Sequence, residues 1–156
     1  MDDGRVLVSG SDPQSNQFPE ELRVEVFNPP YILNSASPYQ RLSFNLTNGD
    51  SFAYGASISI TVSGGTPARI SLLAAVSSTH GNSMGQRTLF PSFSCAGGSC
   101  SVQTPPNANV APPSWYQMFV LDTQGVPSSA QWVRVGGDPG GLGEWPEFAD
   151  FERPGS

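Results

Sequence analysis

Residues 57–65 read Ser-Ile-Ser-Ile-Thr-Val-Ser-Gly-Gly, and this stretch decides the fold class. Its β-branched apolar residues alternate strictly with small hydroxyl residues, which is the pattern of a strand with one buried face and one solvated face. The glycine pair at the end is a turn signal. The stretch therefore predicts a β-strand in a sheet that packs one face on a core.

The same kind of pattern recurs on both sides of this stretch. Residues 42–46 alternate apolar with polar side chains, residues 69–76 are more continuously apolar, and residues 115–121 and 131–135 are two further strong strands. Weaker strands are predicted at residues 5–10, 22–27, 87–93 and 101–103, and no segment has helical periodicity. Short strands at turn spacing predict an all-β fold, an immunoglobulin-like β-sandwich over residues 20–136. Its predicted core is Val24, Val26, Leu42, Phe44, Ile58, Ile60, Ile70, Leu72, Phe119, Leu121 and Val133.

The two ends of the chain are not predicted to belong to the sandwich. Asp3-Gly4 is a turn pair before the strand at residues 5–10, and it implies an earlier strand, as though the chain begins within a hairpin. A polar linker follows up to residue 19. Residues 137–156 are rich in glycine, proline and acid, and they predict a solvated tail. Four acids lie in its last 13 residues, namely Glu144, Glu147, Asp150 and Glu152.

Composition supports the all-β prediction and excludes two classes of function. Charged residues are 13% of the chain, while glycines and prolines number 17 and 15, a balance typical of strands joined by many turns. The net charge is −6 and there is no lysine, which argues against nucleic-acid binding. No stretch approaches the roughly 18 apolar residues of a membrane span, and no signal peptide is recognisable at the start.

Cys95 and Cys100 are the two cysteines of the chain, and they flank Ala-Gly-Gly-Ser. Such a turn lets two strand ends approach, so a disulfide is predicted, of modest stabilising effect because the loop is short. Metal binding by the two thiols is the alternative, but no second Cys or His pair stands at zinc spacing. The disulfide and the sequon at Asn45, a candidate glycosylation site, both favour a secreted protein.

His80 is the one histidine of the chain, and it lies in a polar segment between two predicted strands, residues 69–76 and 87–93. The sequence has no glycine-rich phosphate loop, no G-x-S-x-G elbow and no H-x-x-x-H motif. Any catalytic triad would have to use this single histidine, and no spacing in the sequence identifies a serine or an aspartate as its partner. Spacing alone therefore assigns no catalytic residue.

The sequence around His80 resembles the C-terminal domain of the galactose oxidase and glyoxal oxidase family of copper radical oxidases. Thr79-His80, five further residues and Gln86-Arg87, placed between two strands, match the segment in that family that carries a copper ligand. The resemblance continues in the correct order over nearly the whole chain. It includes residues 3–10, 23–31, 113–122 and 126–135, and the ending at residues 136–139 is more similar to the glyoxal oxidase branch.

The resemblance implies a domain organisation and a cofactor. Residues 1–19 would be the end of the last β-propeller blade and a linker, and residues 20–136 an early-set, immunoglobulin-like domain. In the family, copper is bound by two tyrosines and two histidines, one tyrosine being cross-linked to a cysteine, and the second histidine comes from this domain. His80 matches that histidine. The other ligands would belong to the β-propeller catalytic domain of the same parent chain.

The resemblance also implies a function. The parent protein would oxidise small aldehydes or primary alcohols with O₂, which is reduced to H₂O₂, and this chain alone would be inactive. Two alternatives remain open: a free-standing sandwich that binds carbohydrate or protein, and a structural domain that buttresses a propeller without chemistry. Trp115, Tyr116 and Trp132 are the candidate platform for sugar stacking, although alternation places some of them in the core.

Three residues near His80 carry further expectations. Met84 is predicted to pack rather than to be an axial copper ligand. Arg87 is predicted to form a salt bridge or contact the backbone rather than bind a substrate carboxylate. Gly85 departs from the acid found in many members of the family. The segment from residue 77 to 86 is predicted to be a loop that projects from one end of the sandwich.

Overall fold

The computed structural model describes residues 1–10, 17, 19–32 and 41–137, and all of its regular elements are strands. The predicted acidic tail lies outside the described residues. Among the described residues, no helix is long and apolar enough to span a lipid bilayer. The strands are β1 (Val6–Ser9), β2 (Val24–Phe27), β3 (Ser43–Leu46), β4 (Ser51–Phe52), β5 (Ser57–Ser63), β6 (Pro67–Ala74), β7 (Ser77–Thr79), β8 (Asn82–Met84), β9 (Thr88–Leu89), β10 (Phe93–Ala96), β11 (Ser99–Gln103), β12 (Ser114–Asp122) and β13 (Gln131–Val135).

Two sheets form the sandwich. One has four strands in the order β10-β11-β5-β3, and the other has five in the order β4-β13-β12-β6-β9. All pairs are antiparallel except β13 with β4, which is parallel. Apolar side chains from both sheets meet in one buried cluster. The all-β sandwich predicted from the sequence is confirmed.

β5 shows why the alternating stretch decides the fold. Ile60 is fully buried and Val62 is 8% exposed, whereas the serines and the threonine of the strand are exposed. Successive side chains of a strand point to opposite faces, so strict alternation separates a dry face from a wet one. Burying an isoleucine side chain contributes roughly 1.5–3 kcal/mol, which makes the register of β5 hard to shift.

Most of the predicted core is confirmed. Ile58 is partly buried and packs against the cluster, and Leu121 is partly buried. Tyr116, Met118, Val102 and Val135 belong to the core but were absent from the prediction. The predicted residues that are buried are Leu42, Phe44, Ile60, Ile70, Leu72, Phe119 and Val133.

The prediction that Val24 and Val26 are core residues is wrong. They are 64% and 41% exposed, because β2 pairs with β1 in a separate two-stranded sheet and not with either sheet of the sandwich. Alternation of apolar and charged residues indicates that the two faces of a strand differ. The pattern cannot indicate which element covers the apolar face. Among the described residues, no element covers the apolar face of β2.

The predicted strand at residues 87–93 is also wrong, because two short strands occupy this segment. β9 pairs with β6 in the five-stranded sheet, and β10 pairs with β11 in the four-stranded sheet. Pro91 lies between them, and a proline has no N–H for a ladder hydrogen bond. The chain crosses from one sheet to the other here, leaving Phe90 61% exposed.

Arg41 attaches the start of the chain to the end of the sandwich at which β12 finishes. Its guanidinium donates to the carbonyls of Asp3, Pro127 and Ser128 at 2.8–2.9 Å. The N–H of Ala130 donates to the carbonyl of Asp2 at 2.7 Å. Hydrogen bonds from one charged group to three carbonyls are stronger than neutral ones, so residues 2 and 3 are held against the sandwich.

Candidate functional site

His80 stands at the tip of a β-hairpin. β7 and β8 pair antiparallel with Thr79 opposite Asn82, which leaves His80 and Gly81 as a two-residue turn. The φ angles of the two residues are 52° and 77°, and a turn with positive φ at both central positions matches the twist of the flanking strands. The predicted loop is therefore a hairpin, which we call the His80 hairpin (residues 77–84).

The His80 hairpin is exposed along its whole length. Every residue from Ala75 to Gln86 is exposed, and the strands on either side are anchored in the five-stranded sheet. The hairpin follows the end of β6 and lies beside the start of β12, since the N–H of Ala75 donates to the carbonyl of Trp115 at 3.0 Å. A rigid scaffold thus presents a short polar segment at one end of the sandwich.

The orientation of the His80 ring is set by its neighbour. Thr79 Oγ1 lies 2.8 Å from His80 Nδ1 in a hydrogen bond. When Nδ1–H donates to this hydroxyl, Nε2 carries the lone pair that a metal ion requires. The fitting tautomer is therefore available, and the ring can supply one nitrogen ligand.

His80 is also the one described residue other than glycine with a positive φ. Left-handed backbone is uncommon for a residue with a side chain and costs about 1 kcal/mol or more. A glycine or asparagine at this turn position would avoid most of that cost. The imidazole is thus placed at the tip of the hairpin against the local backbone preference.

Gly85 and Met84 lie at the exit of the hairpin. Gly85 has a φ of 73°, and a Cβ built on it would lie 3.4 Å from the carbonyl oxygen of Ala75. The glycine therefore suits a conformation that a residue with a side chain would adopt only with strain. Met84 is 51% exposed, so the prediction that it packs is wrong within the described chain.

Arg87 joins the base of the hairpin to the next connection at the same end of the sandwich. Its Nη1 donates to the carbonyl of Asn109 at 3.0 Å and to that of Val110, while its own carbonyl accepts from the N–H of Ala74 at 2.9 Å. The predicted backbone contact is confirmed. These two carbonyls, and not a carboxylate, are the partners of the guanidinium within the described residues.

The connection that Arg87 contacts is the segment from Thr104 to Pro113, which we call the proline loop. The hydroxyl of Tyr54 donates to the carbonyl of Ala111 at 2.6 Å, and that of Tyr116 donates to the carbonyl of Pro112 at 2.8 Å. Burial raises the pKa of both phenols, so both keep their protons at neutral pH. Neither contact was predicted, because a tyrosine in an alternating strand gives no sign of the distant carbonyl it will meet.

Thr104 fastens the start of the proline loop. Its hydroxyl accepts from the N–H of Ala56 at 2.8 Å and lies 2.7 Å from the carbonyl of Ala53. The N–H of Gly55 donates to the carbonyl of Pro105 at 2.9 Å. Buried backbone groups of the loop are thereby paired, as a loop packed on a core requires.

Cys95 and Cys100 form a disulfide across β10 and β11. The two residues are direct partners in the strand register, their Cα atoms are 4.0 Å apart, and Cys100 is 1% exposed. Both thiols are therefore used, which leaves neither for a metal ion. The pairing is the one that the glycine turn between the cysteines favoured.

The described residues fit one ligand of a copper site and not a complete site. No group of three or more His, Cys, Asp or Glu side chains comes together anywhere in the described part of the chain. A lone imidazole gains no chelate advantage, so the remaining ligands of a stable Cu(II) site must come from elsewhere. Residues 75–86 include no Asp, Glu, Lys or Arg, so no such charge in the hairpin would repel a copper ion bound at His80.

The other candidate residues fall on different surfaces. Asn45 is exposed on β3, an edge strand of the four-stranded sheet. Tyr116 is buried, so it cannot be part of the candidate platform for sugar stacking. Trp115 and Trp132 are 36% and 45% exposed. The two tryptophans lie on the outer face of the five-stranded sheet, since the residues that alternate with them, Tyr116 and Val133, are buried.

The chain matches known proteins over the same region. The family model described as "Galactose oxidase-like, Early set domain" matches residues 41–135. A WSC domain-containing protein of Arthroderma benhamiae is 54% identical over 157 residues, covering 99% of this chain and 16% of its own length. An aldehyde oxidase, GLOX, of Vitis pseudoreticulata is 33% identical over 150 residues, covering 86% of this chain and 28% of its own length.

A solved structure supports the same relationship. It is a novel fungal alcohol oxidase of the AA5 family in complex with copper, with a TM-score of 0.73 and 25% identity. The alignment covers 86% of this chain and 29% of that one. The chain thus spans less than a third of the similar proteins. The matched sandwich contains the His80 hairpin between its β6 and β9 strands, and this chain belongs to the galactose oxidase-like early set domain family.

Proposed function

We propose that this chain is the C-terminal portion of a copper radical oxidase and that it presents His80 as one of the copper ligands. The observation that carries the proposal is the position of His80 at the tip of an exposed hairpin in a sandwich of this family. The His80 side chain is exposed, so the described part of the chain gives the ring no buried structural role. Its form suits delivery of one side chain to a neighbouring domain.

Three local features support the role of His80 as a ligand. The two strands of the hairpin and the Arg87 contacts hold its base, so that the tip has a defined position. The Thr79 hydroxyl holds Nδ1, which orients the ring in the manner of the outer partners of metal-binding histidines. Nε2 is then the nitrogen that would bind copper.

The other copper ligands would come from a β-propeller catalytic domain of the same parent chain. The similar proteins are several times longer than this chain, which leaves room for such a domain. Bound copper would supply the redox chemistry for oxidising small aldehydes or primary alcohols with O₂, giving H₂O₂. The role of this chain's residues is to bind and orient, so the chain alone is expected to be inactive.

Residues 1–19 would be the end of the last propeller blade and a linker, and β2 would belong with them, since it pairs with β1 while the two sheets of the sandwich begin at β3. The exposed apolar side chains of the β1–β2 sheet support a missing neighbour. Val6 and Leu7 are each 53% exposed, and Phe27 is 54% exposed. A two-stranded sheet with apolar residues open to solvent is marginal by itself, so further strands against it would stabilise it.

Secretion and glycosylation belong to the same proposal. A disulfide persists in oxidising compartments, and Asn45 is exposed on an edge strand, where its side chain is accessible for a glycan. Material from a secreting eukaryotic host should lose mass on treatment with an N-glycosidase. An Asn45→Gln variant with an unchanged glycan mass would contradict this assignment.

Copper titration tests the ligand assignment. The isolated chain should bind Cu(II) no more tightly than a generic surface histidine, and His80→Ala should remove that weak binding, as followed by isothermal titration at neutral pH. Asn82→Ala, in the same hairpin, is the matched control and should leave it unchanged. Submicromolar binding by the isolated chain that depends on His80 would contradict the proposal, because it would require ligands that the described residues do not bring together.

The longer parent protein gives the positive half of the test. There, His80→Ala should reduce the copper content measured by metal analysis and alter the Cu(II) electron paramagnetic resonance spectrum, whereas Asn82→Ala should not. A parent protein that keeps both its copper content and its spectrum after His80→Ala would overturn the assignment.

A further inference from the structure

The connection between β3 and β4, residues 47–50, crosses from the four-stranded sheet to the five-stranded sheet and is tied down at both ends. The N–H of Thr47 donates to the carbonyl of Ser59 at 3.1 Å. The carbonyl of Asp50 accepts from the N–H of Arg134 at 2.7 Å. The first and last residues of this short connection are therefore held on neighbouring strands.

The two residues in the middle of the connection, Asn48 and Gly49, are not held in this way. Both are exposed, and within the described part of the chain neither the side-chain amide of Asn48 nor the N–H of Gly49 takes part in a hydrogen bond. Gly49 has a φ of 81°, and a Cβ built on it would have no atom within 4 Å. The Gly49 nitrogen therefore follows the Asn48 side chain with no partner to give up and no side chain of its own in the way.

This pair of residues has the groups for an intramolecular reaction, in which the two reacting atoms are held close by the chain itself. The Gly49 nitrogen attacks the side-chain amide carbon, Cγ, of Asn48. A bond forms between these two atoms, the bond from Cγ to Nδ2 breaks, and ammonia leaves with the proton that the Gly49 nitrogen gives up through solvent. Water then opens the resulting five-membered succinimide at one of its two carbonyls, which gives aspartate or isoaspartate. Water is the only co-reactant.

The other asparagines of the described residues lack this combination. They are Asn28, Asn45, Asn82, Asn107 and Asn109. Asn28 precedes Pro29, whose nitrogen has no hydrogen, and each of the others precedes a residue with a side chain that hinders attack. In addition, the Asn107 Oδ1 accepts from the N–H groups of Asn109 and Val110 at 3.0 and 3.2 Å, which holds that amide on other partners.

We propose that Asn48 is a modification site, at which the side-chain amide is lost spontaneously from the folded protein. The product places a new carboxylate two residues before Asp50. Isoaspartate also adds one atom to the main chain of a connection whose ends are fixed, so the hydrogen bond between Asp50 and Arg134 should be disturbed and the pairing of β4 with β13 loosened. The inference rests neither on the copper proposal nor on glycosylation.

Ageing of the 156-residue chain at mildly alkaline pH, in protein from a non-glycosylating host, tests the proposal. Trypsin releases residues 42–69, which contain Asn48, whereas Asn82 and Asn107 fall in other peptides that serve as internal controls. The mass of the 42–69 peptide should rise by about 1 Da because an amide NH₂ is replaced by OH, and fragmentation should assign the change to Asn48 and not to Asn45. A methyltransferase specific for isoaspartyl carboxylates should label the same peptide.

Variants identify the attacking nitrogen. Gly49→Ala should slow the mass change about tenfold, because a side chain at this position hinders the attack. Asn48→Gln should abolish the change, since the corresponding six-membered ring forms far more slowly. Asn82→Gln is the matched control and should leave the rate at Asn48 unchanged, and equal melting temperatures of the fresh proteins show that each variant is folded. Hydrogen exchange at the Arg134 amide should become faster in the aged chain but not in aged Asn48→Gln.

The free peptide 42–69 sets the time scale of the experiment. If Asn48 stays intact in the folded chain after half of the free peptide has been converted, the fold protects this residue and the proposal is overturned. Faster conversion of Asn82 or Asn107, or an unchanged rate in Gly49→Ala, would overturn it as well. Unchanged exchange at the Arg134 amide after full conversion would overturn the expected loosening of β4.

Discussion

The His80 hairpin and the proline loop leave the same end of the sandwich and differ in how they are held. The hairpin has every residue exposed and contacts the rest of the chain at its base. The proline loop is fastened by side chains from four positions, which are Tyr54, Arg87, Thr104 and Tyr116. The contrast teaches that one connection serves the stability of this domain, whereas the other is free to serve a partner.

The physical reason for the difference lies in the backbone groups. The proline loop buries Pro105 and Ala111, so its carbonyls must find donors inside the protein, and tyrosine, threonine and arginine side chains provide them. The hairpin satisfies its own backbone through its ladder, and water reaches the rest. A segment that needs nothing from the core can contact a binding partner without loss of core stability.

The largest effect is expected beneath the proline loop. Tyr116→Ala removes a fully buried ring and the donor to Pro112, and it should destabilise the domain by about 3–5 kcal/mol. Urea denaturation followed by tryptophan fluorescence measures the free energy of unfolding. A change below 1 kcal/mol would show that the loop does not depend on the core beneath it, and the comparison would fail.

A smaller loss is expected at the start of the same loop. Thr104→Val keeps the shape of the side chain but leaves the N–H of Ala56 and the carbonyl of Ala53 without their partner, at a cost of about 1–3 kcal/mol. Thr61→Val, at an exposed position of β5, is the matched control and should be nearly neutral. Equal midpoints for the two variants in thermal unfolding would contradict the assignment of Thr104 as an anchor.

Arg87 distinguishes the two connections most directly, because it touches both. Arg87→Leu removes the donors to Asn109 and Val110 and should cost about 1 kcal/mol in unfolding free energy. Hydrogen exchange should become faster at the amides of residues 109–111 and change less within the hairpin. Faster exchange confined to the hairpin would mean that Arg87 serves the His80 side alone.

The smallest effect is expected at the tip of the hairpin. His80→Ala should change the free energy of unfolding by less than about 0.5 kcal/mol, since an exposed residue away from the core contributes little. His80→Gly should stabilise slightly, because the positive φ suits glycine. If His80→Ala instead unfolds the domain, the ring is a structural residue and its assignment as a ligand fails.

Much of the fold followed from alternation in the sequence. The strict pattern of β5 and the apolar runs of β6, β12 and β13 predicted the sandwich and most of its core, because each of these strands has one face that must leave water. The same reasoning failed for Val24 and Val26, where the pattern was present but β2 pairs outside the two sheets. It also missed the break at Pro91, where one apolar run divides between two sheets.

The sequence by itself determined the all-β class, the facing cysteines and the resemblance that singles out His80, because these depend on residue types at short spacing. The tertiary structure alone decided what lies beside what. It placed Tyr54, Thr104 and Tyr116 on the proline loop, and it brought Trp115 against Arg134 and Arg69 against Phe90 on one outer face. Such contacts join residues far apart in the chain, and strand order and register set them, which local residue preference does not encode.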